Sequence, residues 1–185
     1  MRLALAGRTL LLVAGMPGAG KSTLLAGLPP RDGMVVLDSD AYRAALGGSL
    51  PGVPYAAYRP LVHLWHRVAV LVATLSTVPT VVVHLPATDP GTRAVVARLA
   101  RLGGRTAHLL WMHVDPSDAR RGQCSRGRVV PVASFLAHAE RAADTEAVLL
   151  RSGAPEGWAG VTVLDRPAAR AGLLLETGAP AQVGL

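Results

Sequence analysis

A glycine-rich segment near the N-terminus carries the clearest chemical signal in the sequence. Residues 15–23 read Gly-Met-Pro-Gly-Ala-Gly-Lys-Ser-Thr and satisfy the pattern G-x-x-x-x-G-K-[ST]. In such a loop the glycines let backbone N–H groups converge on phosphate oxygens, and the helix that follows adds partial positive charge at its N-terminus. We therefore expect a nucleoside triphosphate to be bound by Gly15, Gly18, Ala19, Gly20, Lys21, Ser22 and Thr23.

Two side chains of this loop have distinct expected roles. Lys21, the only lysine among 19 basic residues, should bridge the β and γ phosphates and act in catalysis. The Ser22 hydroxyl should hold Mg²⁺, which neutralises phosphate charge. The loop thus predicts Mg²⁺ as cofactor and ATP or GTP as phosphoryl donor.

A second polar cluster follows the predicted strand at 34–37. Asp40 and Arg43 are three residues apart, so they share a face if a helix begins near Ser39. Asp40 then accepts the proton of an attacking hydroxyl, and Arg43 binds an anionic part of the acceptor; alternatively, the pair is a helix ion pair behind a solvated cap. Asp38 either binds Mg²⁺ through water or caps the helix.

Basic residues cluster again in an expected lid over about 116–130. Four arginines lie there, at Arg120, Arg121, Arg126 and Arg128. Arginines that close over a triphosphate stabilise transition-state charge, and we expect this of Arg126 first and Arg120 second. The alternative is a solvated arginine-rich turn.

Two further side chains lie at predicted strand ends. His84 follows the third predicted strand and could contact phosphate or acceptor, or be a structural histidine. Arg166 follows the fifth and could contact the nucleotide. Both positions are at the carboxyl edge, where open α/β sheets bind ligands.

Short apolar runs alternate with helical patterns, which indicates an α/β fold with a parallel sheet. The predicted strands are Thr9–Ala14, Met34–Leu37, Thr80–His84, Thr106–Val114 and Val161–Leu164. A long amphipathic helix is predicted with Pro60 in its first turn. Its apolar stripe consists of Leu61, Leu64, Trp65, Val68, Leu71, Val72 and Leu75.

The loop at 15–23, followed by Asp40-Ala41-Tyr42-Arg43, resembles polynucleotide 5′-hydroxyl kinases and zeta-toxin-like kinases of the P-loop kinase superfamily. The resemblance implies a three-layer P-loop NTPase fold whose five-stranded parallel sheet has the order 2-3-1-4-5. It also implies that Asp40 is the general base and that Arg43 contacts the acceptor. One position departs from the pattern of P-loop proteins: His84 ends the third predicted strand, where a Walker-B-like acid could stand. The lack of that acid disfavours a motor-type ATPase.

Length and composition indicate one domain over 1–175 and a frayed tail over 176–185. The single Cys124 and the lack of a membrane-spanning run favour a cytoplasmic protein. A net charge of +7 indicates an anionic partner, which is a nucleotide, a nucleic acid or an acidic surface.

We therefore predict a phosphotransferase acting on a hydroxyl of a polynucleotide 5′ end, a nucleotide or a small metabolite. The alternative is a nucleotide-binding regulatory or toxin-like module that lacks a freely transferable acceptor. The sequence identifies no protein partner.

Overall fold

The centre of the protein is a parallel β-sheet. The computed structural model describes residues 1–125 and 130–177, and five strands form this sheet in the order β3-β4-β2-β5-β6. The strands are β2 (Thr9–Gly15), β3 (Met34–Leu37), β4 (Thr80–His84), β5 (Thr106–Met112) and β6 (Gly160–Leu164). Numbered among themselves, they have the predicted order 2-3-1-4-5, so the α/β fold and its topology are confirmed.

The central strand forms the middle of the core. All seven residues of β2 are buried, and Leu10–Ala14 have no solvent exposure. A parallel strand with neighbours on both sides and helices on both faces needs such a continuous apolar run. The sheet therefore presents the end of β2, and the loop after it, from a rigid base.

Seven helices are found in the described residues. They are α1 (Lys21–Ala26), α2 (Ser39–Ser49), α3 (Tyr55–Leu75), α4 (Pro90–Leu102), α5 (Pro116–Cys124), α6 (Val132–Ser152) and α7 (Arg166–Arg170). Right-handed crossovers put α3, α4 and α6 on one face of the sheet and α1 on the other. None of these helices has both the length and the apolar content to cross a bilayer.

Two short strands that sequence reasoning missed form a separate parallel pair. They are β1 (Arg2–Leu5) and β7 (Leu174–Thr177). In both strands buried leucines alternate with exposed or half-buried residues; the buried ones are Leu3, Leu5 and Leu175. Glu176 and Thr177, which were predicted to belong to a frayed tail, are part of β7. Residues 178–185 lie outside the described residues.

The long helix α3 differs from its prediction in two ways. It begins at Tyr55, so Pro60 lies inside it and not in its first turn. The predicted apolar stripe faces away from the protein, with each of its seven large side chains 44–62% exposed. The sheet is contacted by the opposite face, whose buried residues are Tyr58, Val62, His66, Val70 and Thr74.

Candidate functional site

The loop between β2 and α1 has the conformation of a phosphate cradle. Gly20 has φ of +102° and open space where a side chain would stand. Gly18 also has a positive φ, and a Cβ there would collide with the carbonyl oxygen of Ala119 in α5. The lack of a side chain at Gly20 thus leaves the cradle open, and the lack of one at Gly18 lets α5 pack closely against the loop.

Lys21 is the first residue of α1 and is 4% exposed. Its Nζ donates to the carbonyl oxygens of Gly15 and Met16, each at 2.8 Å. The ammonium is therefore folded against the loop that precedes it.

Four polar side chains form a connected chain beside the cradle. Ser22 Oγ donates to Asp40 Oδ2 at 3.1 Å, and the Asp40 backbone N–H donates to Asp38 Oδ1 at 3.0 Å. His84 Nδ1 lies 2.7 Å from the same Asp38 oxygen. The structure therefore brings the predicted residues Ser22, Asp38, Asp40 and His84 together.

The strand register explains why Asp38 meets His84. Parallel strands β3 and β4 pair Leu37 with Val83, so the next residue of each strand lies at the same height on the carboxyl edge. Asp38 also begins α2, and its carboxylate caps the helix by accepting the Asp40 N–H. Of the two roles predicted for Asp38, the capping role is confirmed.

The surroundings of Asp38 keep its carboxylate ionised. Burial alone acts to raise the pKa of this group. The hydrogen bond and charge of His84, with the Asp40 N–H and the Ser22 hydroxyl, outweigh burial and lower the pKa to about 2. Asp38 therefore remains an anion at any physiological pH.

The oxygen donors beside the cradle fit a magnesium ion. Mg²⁺ prefers hard oxygen ligands and is usually held by one or two carboxylates together with phosphates and water. The Ser22 hydroxyl and the ionised Asp38 are such donors, linked through Asp40. Among the described residues no cluster of three or more His, Cys, Asp or Glu forms an all-protein metal cage.

A cavity of about 350 Å³ opens next to the loop on its α1 side. Gly18, Ala19, Gly20 and Thr23 form one part of its lining, and Arg166 with Met112 forms another. Arg166 donates to the carbonyl oxygens of Gly18 at 3.1 Å and Asp118 at 3.2 Å. Arg166 thus lines this cavity and also joins the loop to α5.

Two arginines that were predicted to bind acceptor or phosphate lie over aromatic rings of the protein. The Arg43 guanidinium lies 4.1 Å from the centroid of the Tyr55 ring at the start of α3. The Arg120 guanidinium lies 5.6 Å from the ring centroid of Phe135, a buried residue of α6. Arg126, the first choice within the expected lid, lies outside the described residues.

The first part of the expected lid, Pro116–Cys124, is the helix α5. Gln123 in this helix is buried, donates to the Pro17 carbonyl at 2.8 Å, and accepts from the Val130 N–H at 3.1 Å. Sequence reasoning missed Gln123 because only the arginines of this segment were considered as functional residues. The helix supports the phosphate loop through this amide.

His138 of α6 is a second residue that sequence reasoning missed. It lies 2.9 Å from the Thr88 hydroxyl. Burial lowers the pKa of His138, and the positive charges of Arg141 and Lys21 lower it further. Nothing in the spacing of the sequence links residue 138 to the loop, since only packing of α6 brings them near each other.

Comparison with known proteins agrees with this geometry. The family model of the AAA domain matches residues 10–151. No curated protein sequence is significantly similar to the chain.

Several solved structures share the fold. The structure of the PezAT chromosomal toxin-antitoxin system of Streptococcus pneumoniae matches with a TM-score of 0.63 and 13% identity over 88% of this chain and 70% of that chain. Kti12 from Chaetomium thermophilum, in complex with ADP-AlF3, matches with a TM-score of 0.52 and 14% identity over 88% and 94%. A sugar kinase from Janibacter matches with a TM-score of 0.51 and 14% identity over 85% of each chain.

Proposed function

Because the chain belongs to the AAA domain family, we propose that it is a P-loop kinase that moves the γ-phosphoryl group of ATP or GTP to a hydroxyl-bearing acceptor. Its fold is that of the P-loop kinase superfamily. The observation that carries the proposal is the position of Asp40, whose Oδ2 is 3.1 Å from the Ser22 hydroxyl of the phosphate loop. A carboxylate at that place is suited to take a proton next to a bound γ-phosphate.

The triphosphate occupies the cradle in this proposal. Backbone N–H groups of residues 15–22 and the N-terminus of α1 bind its phosphates, and Lys21 exchanges its contacts with the Gly15 and Met16 carbonyls for phosphate oxygens. The nucleoside enters the neighbouring cavity, whose volume of about 350 Å³ lies at the lower end of the range for small-molecule sites. Arg166 contacts the nucleotide from the wall of that cavity.

The transfer step needs one base and one leaving group. Asp40 takes the proton of the acceptor hydroxyl as its oxygen forms a bond to the γ-phosphorus. The bond between that phosphorus and the β–γ bridging oxygen breaks, and the nucleoside diphosphate leaves. Arg120 and Arg126 are the lid residues proposed to stabilise the charge on the transferred group.

Ser22 and Asp38 are the residues that would hold Mg²⁺. When bound, the ion neutralises charge on the β and γ phosphates. His84 contributes by fixing Asp38, to which it is hydrogen-bonded, and this assigns it a positioning role beside its predicted contact with substrate.

Arg43 is the proposed contact for an anionic part of the acceptor. Its guanidinium lies over the ring of Tyr55, the first residue of α3, and this cation–π contact holds it in place. An acceptor phosphate could therefore bind Arg43 while the aromatic contact is kept.

The test is a transfer assay with γ-labelled ATP and Mg²⁺ against 5′-hydroxyl oligonucleotides, nucleosides and sugars. We expect Asp40→Asn to lower kcat by about 100-fold or more, because the base is lost while the triphosphate site is kept. Asp32→Asn, which changes an exposed acid before β3, is the matched control and should retain full activity. Full transfer by Asp40→Asn would refute the assignment of the base.

The same assay separates the kinase from a regulatory or toxin-like module. The PezAT structure belongs to a toxin-antitoxin system, and it shares the fold. Tight ATP binding with no labelled product from any acceptor would favour the module, and labelled product would favour the kinase.

A further inference from the structure

The outward face of α3 is apolar from Leu61 to its end at Leu75. Its side chains are 44–62% exposed, a large fraction for residues of this type, and none of the described residues covers them. We call this surface the α3 stripe; its members are Leu61, Leu64, Trp65, Val68, Leu71, Val72 and Leu75.

The α3 stripe lies opposite the face that packs on the sheet. At about 100° per residue, its members fall within an arc of about 120° centred on Val68. The buried residues of α3, among them His66 and Val70, fall on the other side of the helix. No charged residue lies within the arc, so the helix has one apolar face in the core and a second one exposed.

The spacing within the α3 stripe is symmetric. Its members stand three, four and seven residues before Val68 and three, four and seven residues after it. A two-fold axis at Val68 would therefore place Leu61 opposite Leu75 of a second helix and Leu64 opposite Val72. We propose that the α3 stripe is a self-association surface, on which two copies of this chain pair their α3 helices antiparallel in a two-fold symmetric dimer.

The size of the α3 stripe suits such a dimer. Its side chains expose roughly 600 Å² per copy, close to the 800 Å² or so that each partner buries in a standard interface. Helix α4, which packs beside α3, also exposes Val95 and Leu102. The largest apolar patch on a typical monomer covers about 300–600 Å², so the α3 stripe lies at the upper end of that range.

The charged residues of α3 lie outside the arc. Helix α3 carries Arg59 and Arg67 and no acidic residue. At about 100° per residue, Arg67 lies about 100° from Val68 around the helix, and Arg59 lies about 180° from it. The pairing of two α3 stripes therefore brings no charged side chain of α3 into the interface.

The antiparallel pair also leaves both phosphate loops accessible. Helix α3 begins near the sheet edge that carries the loop and ends before β4, at the opposite edge. Antiparallel pairing therefore directs the two loops to opposite ends of the dimer. The proposal does not depend on the phosphoryl acceptor or on the proposed activity.

Sedimentation equilibrium tests the association. The protein should have twice its 19.2 kDa mass at about 100 µM, a concentration at which a dimer with a Kd near 1 µM is almost fully formed. Val68→Asp puts two carboxylates face to face on the axis and should raise the dimer Kd by at least about 100-fold. Leu150→Asp, at an equally apolar and 75% exposed site on α6, should leave the dimer intact.

Disulfide trapping tests the direction and does not require an apolar-to-charged change. In a Cys124→Ser background, Leu61→Cys and Leu75→Cys proteins should each cross-link slowly when alone and rapidly when mixed. Rapid cross-linking of Leu61→Cys alone would overturn the antiparallel arrangement. A parent protein that stays monomeric at about 100 µM, or an equal loss of dimer in Leu150→Asp, would overturn the proposed surface.

Discussion

Asp38 takes part in two interactions at once. It caps α2 by accepting the Asp40 N–H, and it pairs with His84. A carboxylate with these contacts is stabilised in its charged form, which is why its pKa falls to about 2 despite burial. Its charge is therefore coupled to folding as well as to the site.

This coupling predicts how acid affects stability. Because the folded state lowers the pKa of Asp38 from 3.8 to about 2, its stabilising contribution is complete above about pH 5 and is lost as pH falls towards 2. We expect Asp38→Asn to reduce the free energy of unfolding at pH 7 by about 2 kcal/mol and to flatten its decline between pH 4.5 and 2.5. Urea unfolding at a series of pH values measures both effects.

The exposed Asp32 provides the comparison. Asp32→Asn should unfold like the parent at every pH, since this side chain is exposed at the opposite end of β3. An Asp38→Asn protein with the parent's acid profile would show that the His84 contact does not stabilise the folded state.

Among the elements, α3 depends on a residue from a distant part of the chain. Arg105 follows α4 and is 5% exposed. Its guanidinium donates five hydrogen bonds to carbonyl oxygens at and after the C-terminus of α3, at Ala73, Thr74, Ser76, Val78 and Pro79. Arg105 thereby satisfies the last carbonyls of the helix and the turn into β4.

Removal of this cap should destabilise the protein. Arg105→Ala removes the donor to the Thr74 and Val78 carbonyls and one of the donors to the other three. We expect a loss of about 2–4 kcal/mol in the free energy of unfolding. Arg105→Lys should recover only part of this, because an ammonium has three donors and no planar fork. Arg101→Ala, at an exposed site on α4, should change stability by less than about 0.5 kcal/mol. Equal urea midpoints for Arg105→Ala and Arg101→Ala would contradict the capping role.

Across the whole molecule, two segments that are distant in sequence contact the phosphate loop. The loop follows the central strand, Gln123 of α5 donates to its Pro17 carbonyl, and Arg166 at the start of α7 donates to its Gly18 carbonyl. A ligand that binds the loop therefore stabilises an assembly drawn from most of the chain, and its binding energy adds to the global stability.

ATP with Mg²⁺ should raise the melting temperature. At 100 times its Kd the ligand adds about 2.7 kcal/mol, which is a rise in Tm of roughly 5–10 °C for a domain of this size. Lys21→Ala should abolish most of that rise at the same ATP concentration, whereas Arg98→Ala, an exposed site on α4, should keep it. Differential scanning calorimetry gives the comparison, and an undiminished rise in Lys21→Ala would argue against the loop as the binding site.

Local sequence patterns were enough to predict the phosphate loop, the five strands of the main sheet and the position of the acids after β3. These features depend on local chemistry: glycines before a helix, β-branched or leucine-rich runs, and an aspartate before a helical segment. The strand order came from resemblance to P-loop kinases, and the structure confirms it.

The packing of the whole domain determines which face of α3 meets the sheet. Periodicity finds an apolar arc but does not identify what covers it. Helix α3 also carries Tyr58, Val62 and Val70 on its other side, so either face could pack against the sheet. The face with fewer large apolar residues is the one that is buried. The pairing of β1 with β7 and the contacts of Arg43, Arg120 and Arg166 likewise join residues far apart in the chain, which no local spacing encodes.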